Sequence, residues 1–177
     1  MKAGPVSYQE ARSLIFTGDL IAVRGRHGIL PALVRGVTGS PFTHTAVALW
    51  LDGGLYVAEM DGIKGVLVPL SQYADTDFDV FACPRDTAAE RIAVKDAALA
   101  AIRARIDYDV ADLLRIAAWR TLRLPLPSRD RNGMVCSALS ARIYRDVGLA
   151  LPGCPSIPAP DDLVAAFGGI PVLEVRA

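Results

Sequence analysis

The chain has 177 residues with 19 basic and 19 acidic side chains, and its net charge of zero excludes the basic surplus typical of nucleic-acid-binding proteins. Hydrophobic residues make up 52% and the mean hydropathy is +0.32, which excludes a disordered chain and predicts a single domain, residues 1–177, with a sizeable core. No apolar run is long enough for a membrane-spanning helix, and the first residues lack the apolar segment of a secretory signal.

Strand patterns dominate the first half of the chain. The clearest is a hairpin in which two apolar stretches, residues 43–51 and 55–60, flank Asp52-Gly53, a pair typical of a type I′ turn. The other predicted strands of this half cover residues 20–23, 66–68 and 78–83.

Helical patterns dominate the second half. The capping box Thr87-x-x-Glu90 predicts a helix that runs to about Arg105, and residues 110–123 form a second helical pattern. The apolar positions expected to face the core from the first of these helices are Ile92, Leu99, Ile102 and Ile106. Shorter predicted elements are a helix opened by a capping box at Ser7 and Glu10, a helix over residues 161–167 and a strand over residues 172–175. Strands followed by helices favour an α+β fold with an antiparallel sheet packed against helices.

A further helix, predicted over residues 134–148, carries Cys136 in its first turn. Its apolar stripe consists of Val135, Leu139, Ile143 and Val147. A thiol beside the positive end of a helix dipole favours the thiolate, which suits a nucleophile, although a lone cysteine is more often a small buried hydrophobe. Cys83 and Cys154 are expected to be structural, and the odd cysteine count predicts a cytoplasmic, reduced protein.

His44 is the candidate general base, because it stands at the start of a predicted strand and a histidine can titrate near neutral pH. The second histidine, His27, lies in a glycine- and arginine-rich turn and is expected to be solvated. With a turn at Asp52-Gly53, His44 faces Asp61 directly and Glu59 diagonally, so either carboxylate can orient the imidazole. A salt-bridged or solvated Glu59 is the alternative.

In their order along the chain, these motifs resemble the circularly permuted papain-like cysteine hydrolases of the NlpC superfamily. The resemblance is to the YiiX-like group in particular, to which the lecithin retinol acyltransferase-like enzymes are related. It spans roughly residues 14–165. The residues that carry it are Gly18-Asp19, His44, Glu59, Tyr108-Asp109, Cys136-Ser137 and Pro160-Asp161-Asp162-Leu163.

The resemblance implies a permuted papain-like fold in which Cys136 is the nucleophile, His44 the base and Glu59 the orienting acid. It also implies that the N–H of Cys136 donates to an oxyanion and that Tyr108 lines the site. The family often has an aromatic residue before the cysteine and an acid after the Cys-Ser pair. Val135 and Ala138 stand at these positions, which leaves the subgroup and the substrate open.

Arginines are concentrated between Tyr108 and Cys136. In residues 115–131 the basic residues are Arg115, Arg120, Arg123, Arg129 and Arg131, and the one acidic residue is Asp130. They are either a solvated surface or a site for an anionic substrate group beside the thiol, with Arg115 and Arg131 as candidate contacts. The intervening leucines and prolines form an apolar flank that is compatible with an acyl chain or with peripheral membrane contact.

The predicted function is therefore a cysteine hydrolase that cleaves an amide or ester through a thioester acyl-enzyme, on a cell-wall-type peptide or a lipid-derived acyl group. A lipid-directed acyltransferase and a non-catalytic binding module on the same fold are the alternatives. No cofactor is predicted. No metal is predicted either, because Cys136 and His44 are only two of the three or four ligands that zinc requires. We expect the Cys136 sulfur and the His44 imidazole to lie within hydrogen-bond reach in an open cleft, with Glu59 rather than Asp61 on the far ring nitrogen.

Overall fold

A six-stranded sheet forms the centre of the computed structural model, which describes residues 4–25, 40–61, 64–104 and 136–177. The strands are β1 (Leu20–Arg24), β2 (Phe42–Leu51), β3 (Gly54–Asp61), β4 (Lys64–Pro69), β5 (Phe78–Phe81) and β6 (Leu173–Val175). They lie in the order β4-β3-β2-β1-β5-β6, and every neighbouring pair is antiparallel. The predicted strands are thus confirmed.

Helices flank this sheet within the described ranges. They are α1 (Tyr8–Ala11), α2 (Ala88–Arg103), α3 (Cys136–Asp146) and α4 (Pro160–Ala166), with short 3-10 helices at Arg12–Leu14 and Leu70–Tyr73. Both predicted capping boxes are present, at Ser7 with Glu10 and at Thr87 with Glu90, so these side chains satisfy free N–H groups at the helix starts. The second helical pattern, at residues 110–123, lies outside the described residues.

The β2–β3 hairpin has the predicted register. Asp52 and Gly53 both have positive φ angles, 47° and 77°, as a type I′ turn requires. Pairing runs from Leu51↔Gly54 to Val47↔Ala58 and ends there, while residues 59–61 of β3 pair only with β4. The two strands of the hairpin therefore part at their open end.

The sheet has one core on each face. Alternation along β2 places Val47 and Leu49 in the cluster that contains α2, α3 and α4, and places Ala46 and Ala48 in the cluster beneath α1 and the Leu70–Tyr73 turn. A sheet covered on both faces explains why eight consecutive residues of β2 are buried.

The predicted core face of α2 is wrong at its start. Ile92 is 52% exposed, and the buried stripe consists of Val94, Ala98 and Ala101. These residues recur at helical spacing on a different face from Ile92, and their small side chains let α2 pack closely on α3. The prediction is wrong for Ile92, whereas Ile102 is half-buried and packs against the core, and Ile106 lies outside the described residues.

The architecture is α+β, with an open antiparallel sheet packed against helices. In the part of the chain that the structure describes, no helix is both long and apolar enough to cross a lipid bilayer.

Candidate active site

Helix α3 presents Cys136 to the sheet. Leu139 and Ile143 are fully buried in the core between the sheet and helices α2, α3 and α4. Gly148, with φ 72°, follows the end of α3, as predicted. Cys136 is the first described residue of α3 and is 8% exposed. The hydroxyl of Ser137 donates to the carbonyl of Pro158 at 2.6 Å, which fixes the first turn of α3 to the loop before α4.

The hairpin supplies a histidine and a carboxylate. Nε2 of His44, on β2, lies 2.8 Å from Oε2 of Glu59, on β3, and both side chains are buried. Asp61 is exposed and pairs with Lys64 in the β3–β4 register. The structure thus brings Glu59, and not Asp61, to the imidazole, because the longer side chain spans the diagonal of the register.

The Cys136 thiol lies close enough to the His44 imidazole for each group to change the acidity of the other. Since Nε2 of His44 faces Glu59, the ring nitrogen that faces the sulfur is Nδ1. The two side chains lie within reach, as expected, but among the described residues they are nearly enclosed, with exposures of 8% for Cys136 and 6% for His44.

The contact between thiol and imidazole changes the acidity of both. Burial alone lowers the pKa of His44, but the charge and hydrogen bond of Cys136 and the hydrogen bond and charge of Glu59 outweigh burial and raise it from 6.5 to about 9. Burial raises the pKa of the Cys136 thiol, but the His44 charge and hydrogen bonds hold it below its ordinary value. The favoured state is a thiolate beside an imidazolium.

The sulfur lies where β2 and β3 part. Side chains alternate along β2, which places His44 on the sheet face opposite α3. Cys136 belongs to the core between the sheet and helices α2, α3 and α4. A continuous β2–β3 ladder would therefore separate the two side chains. The ladder ends at Val47↔Ala58, which leaves the backbone N–H of Thr45 near the Cys136 sulfur. The N–H groups of Thr45 and Ser137 both favour the thiolate and so lower the pKa of Cys136.

Thr45 also ties β2 to α3 through its side chain. Its hydroxyl lies 3.3 Å from that of Ser140, which donates in turn to the carbonyl of Cys136 at 3.3 Å. All three residues are buried. This polar contact fixes α3 against the strand that carries His44.

Sequence reasoning missed Tyr73. Its hydroxyl donates to Oε2 of Glu59, and its ring stacks on the His44 imidazole, with centroids 6.4 Å apart and planes inclined by 13°. Tyr73 lies in a connection between strands, and neither periodicity nor spacing singles it out there. Its role depends on tertiary contacts.

Asp19 and Asp162, which belong to the motifs that carry the resemblance, make structural contacts in this fold. Asp19 accepts from the N–H groups of Phe16 and Cys83 and from Arg91, and thereby joins β1 to the start of α2. Asp162 accepts from the N–H of Ala159 at 2.8 Å and caps α4. The predicted substrate contacts Tyr108, Arg115 and Arg131, and also His27, lie outside the described residues.

Comparisons with known proteins give a structural likeness. No protein-family model matches the chain, and no curated protein matches it. The chain is similar in structure to the crystal structure of the metalloprotein YiiX from Escherichia coli O157:H7, with a TM-score of 0.59 and 18% sequence identity over 77% of this chain and 68% of that one. An identity this low shows the fold alone.

That protein is a metalloprotein by name, which raises the question of a metal in this chain. Among the residues that the structure describes, no group of three or more histidine, cysteine, aspartate or glutamate side chains is placed to hold a metal ion. The described donors therefore do not fit a metal site, and no step proposed below passes through one. The chain has a YiiX-like α+β fold in which Cys136, His44 and Glu59 meet.

Proposed function

We propose that this chain is a cysteine hydrolase of the permuted papain-like type, which cleaves an amide or ester bond through a thioester acyl-enzyme. One observation carries the proposal. A thiol with a lowered pKa lies beside an imidazole, and a ring nitrogen of that imidazole is held by a buried carboxylate. This is the arrangement of nucleophile, base and orienting acid that acyl transfer requires.

The first half of the proposed reaction forms the acyl-enzyme. The Cys136 thiolate attacks the carbonyl carbon, and the carbonyl electron pair moves to the oxygen, for which the N–H of Cys136 is the expected donor. As the tetrahedral intermediate collapses, the His44 imidazolium gives its Nδ1 proton to the leaving amine or alcohol. The products are a thioester on Cys136 and a neutral imidazole.

The second half returns the enzyme to its starting state. Neutral His44 takes a proton from water as the water oxygen attacks the thioester carbon, and the carboxylic acid leaves as the carbon–sulfur bond breaks. The proton on His44 and the thiolate of Cys136 are thereby restored. Glu59 keeps its charge throughout and holds the ring so that Nδ1 faces the sulfur.

Comparison with Cys83 argues against a purely structural cluster. Cys83 is also buried, and burial raises the pKa of its thiol, as expected for a cysteine that packs as a neutral hydrophobe. Cys136 is also buried, yet its thiol pKa is lowered by an ionisable partner. Because burying an ion pair costs desolvation energy, a site kept for packing alone has no need of one.

Selective alkylation tests the proposed nucleophile. Brief treatment with iodoacetamide at about pH 6.5 should place most of the label on Cys136, because its thiolate is stabilised there. Burial raises the thiol pKa of both Cys83 and Cys154, so these residues serve as internal controls. Peptide mapping by mass spectrometry reads the result, and equal labelling of all three thiols contradicts the proposal.

Substrate class is tested by covalent trapping. The protein is incubated separately with acyl-peptide amides of the cell-wall type and with fatty-acyl esters, and adducts on Cys136 are sought by mass spectrometry. One class should yield both an adduct and turnover, and Cys136→Ala should abolish both while Cys83→Ala retains them. Binding of a peptide or lipid without adduct or turnover would instead favour a binding module.

A further inference from the structure

Tyr73 ends the Leu70–Tyr73 turn that follows β4 and is 2% exposed. Leu70, at the start of the same turn, is fully buried in the core on the face opposite α3. The turn is thus anchored in that core at both ends. Its backbone can therefore hold the Tyr73 side chain in one orientation.

The side chain of Tyr73 contacts two members of the proposed site. Its hydroxyl donates to the same carboxylate oxygen of Glu59 that faces Nε2 of His44. Its ring is nearly parallel to the imidazole, at 13°, with centroids 6.4 Å apart. One rigid side chain therefore restrains both the rotation of the carboxylate and the plane of the histidine ring.

A buried carboxylate needs such a donor. Glu59 is 1% exposed, and the side-chain exposure of His44 is 7%, so water is largely excluded from their contact. An ionised carboxylate in such a place is stable only where protein donors replace water. Oε2 faces Nε2 of His44 and also accepts from the Tyr73 hydroxyl, and these contacts restrain its position relative to His44.

We infer that Tyr73 is a positioning residue of the proposed reaction, which holds Glu59 and His44 in the geometry that activates Cys136. The inference rests on the proposed function and adds a fourth residue to Cys136, His44 and Glu59. In the described part of the chain, the ionisable groups that face Glu59 include His44 from β2 and Tyr73 from the turn after β4, and Cys136 of α3 acts through His44.

Tyr73→Phe tests the inference, because it removes the hydroxyl and keeps the ring. Without that donor the carboxylate loses its fixed orientation, and the imidazolium loses support from a correctly placed anion. The rate of iodoacetamide alkylation as a function of pH should show thiolate formation at a pH higher by about one unit than in the wild type. Turnover should fall by about tenfold with little change in KM.

Tyr144→Phe is the matched control. Tyr144 is also buried, and its hydroxyl donates at 2.9 Å to the backbone carbonyl of Gly18, away from Glu59. This variant loses a buried hydrogen bond of similar kind, yet its Cys136 thiol should titrate as in the wild type. An equal shift in Tyr144→Phe would show a general loss of stability and overturn the inference.

Two further variants test the route through Glu59. In a Glu59→Gln background, Tyr73→Phe should produce no additional shift, because the charged acceptor is already absent. Replacement of Tyr73 by p-aminophenylalanine, which fills similar space and still donates, should restore a titration close to the wild type even where the phenylalanine variant folds poorly. If Tyr73→Phe still shifts the titration of the Cys136 thiol in the Glu59→Gln background, the inference is contradicted.

The result also separates this inference from the proposed function. If wild-type Cys136 is slow to react and titrates as an ordinary thiol, the proposed function fails. If the wild-type thiol is reactive at low pH and Tyr73→Phe titrates identically, the inference alone fails. Circular dichroism and thermal melting establish that each variant is folded.

Discussion

The register of the β2–β3 hairpin determines which carboxylate of the proposed site lies beside His44. In the hairpin register, extended to this end, Glu59 lies two residues nearer the turn than Asp61, the residue opposite His44, and is therefore on the diagonal. A glutamate spans that diagonal and an aspartate at the opposed position does not approach the imidazole. The length of one side chain therefore determines which carboxylate orients the histidine.

Glu59→Gln should keep the fold and lower turnover by a factor on the order of 10² or more, because a neutral amide neither fixes the imidazole tautomer nor supports its charge. Asp61→Asn is the matched control, since Asp61 is exposed and should change neither turnover nor stability measurably. Steady-state kinetics of both variants on the substrate found by trapping measure the difference. A larger loss in Asp61→Asn would refute the assigned role of Glu59.

The pH dependence of kcat/KM should be bell-shaped, with an alkaline limb near the raised His44 pKa of about 9. As pH rises through that value, His44 loses the proton that the leaving group needs, so activity falls. The acid limb should lie below the ordinary thiol pKa of 9.0, because the Cys136 thiolate is stabilised. An alkaline limb near 6.5, the ordinary histidine value, would show that the ion pair does not form.

At this scale the sequence identified Cys136, His44 and Glu59 as candidates, because helix starts, strand starts and hairpin register are local properties. The role of Tyr73 could not be predicted from the sequence. A tyrosine in a connection has no fixed partner until the turn that carries it packs against the sheet, and no short-range pattern describes that packing.

At the scale of elements, the hairpin turn determines where the two functional side chains of the sheet meet. Asp52 and Gly53 both adopt positive φ angles, and the register that follows brings His44 and Glu59 to the same face. Strand side chains alternate, so a slip of one residue would place them on opposite faces. The turn therefore contributes to the site from a distance.

Gly53→Ala should lower stability by about 1 kcal/mol, because a Cβ is strained at positive φ. At φ 77° the cost is confined to the backbone, since a Cβ added at Gly53 would meet nothing within 4 Å. For a chain of this size the melting temperature should fall by roughly 2–4 °C, measured by calorimetry.

Gly4→Ala is the control for this change, because a Cβ added there would also meet nothing within 4 Å and the φ of Gly4 is not in the positive region. It should melt as the wild type does. The apolar pattern of β2 and β3 also specifies the register, so Cys136 in Gly53→Ala should still react with iodoacetamide. Equal melting temperatures for Gly53→Ala and the wild type would contradict the strained-turn account.

At the scale of the molecule, local pattern predicted the elements but left their arrangement open. The strands and capped helices follow from periodicity and end signals, and the hairpin follows from its turn pair. The position of β1 between β2 and β5, and the docking of α2 through alanines, depend on long-range packing. The α+β class could be predicted from the sequence, whereas the order of strands and the face used by α2 could not.

The parts of the proposed site also differ in how far apart they lie along the chain. Fifteen residues separate His44 from Glu59, whereas ninety-five separate Thr45 from Ser140, the pair that joins β2 to α3. During translation the hairpin emerges long before α3, so the base and its carboxylate can pair while the thiol has yet to be synthesised. The newly made cysteine is an ordinary thiol until its helix docks against β2. Cys136 can therefore lie beside His44 only after α3 has been synthesised and has docked against β2.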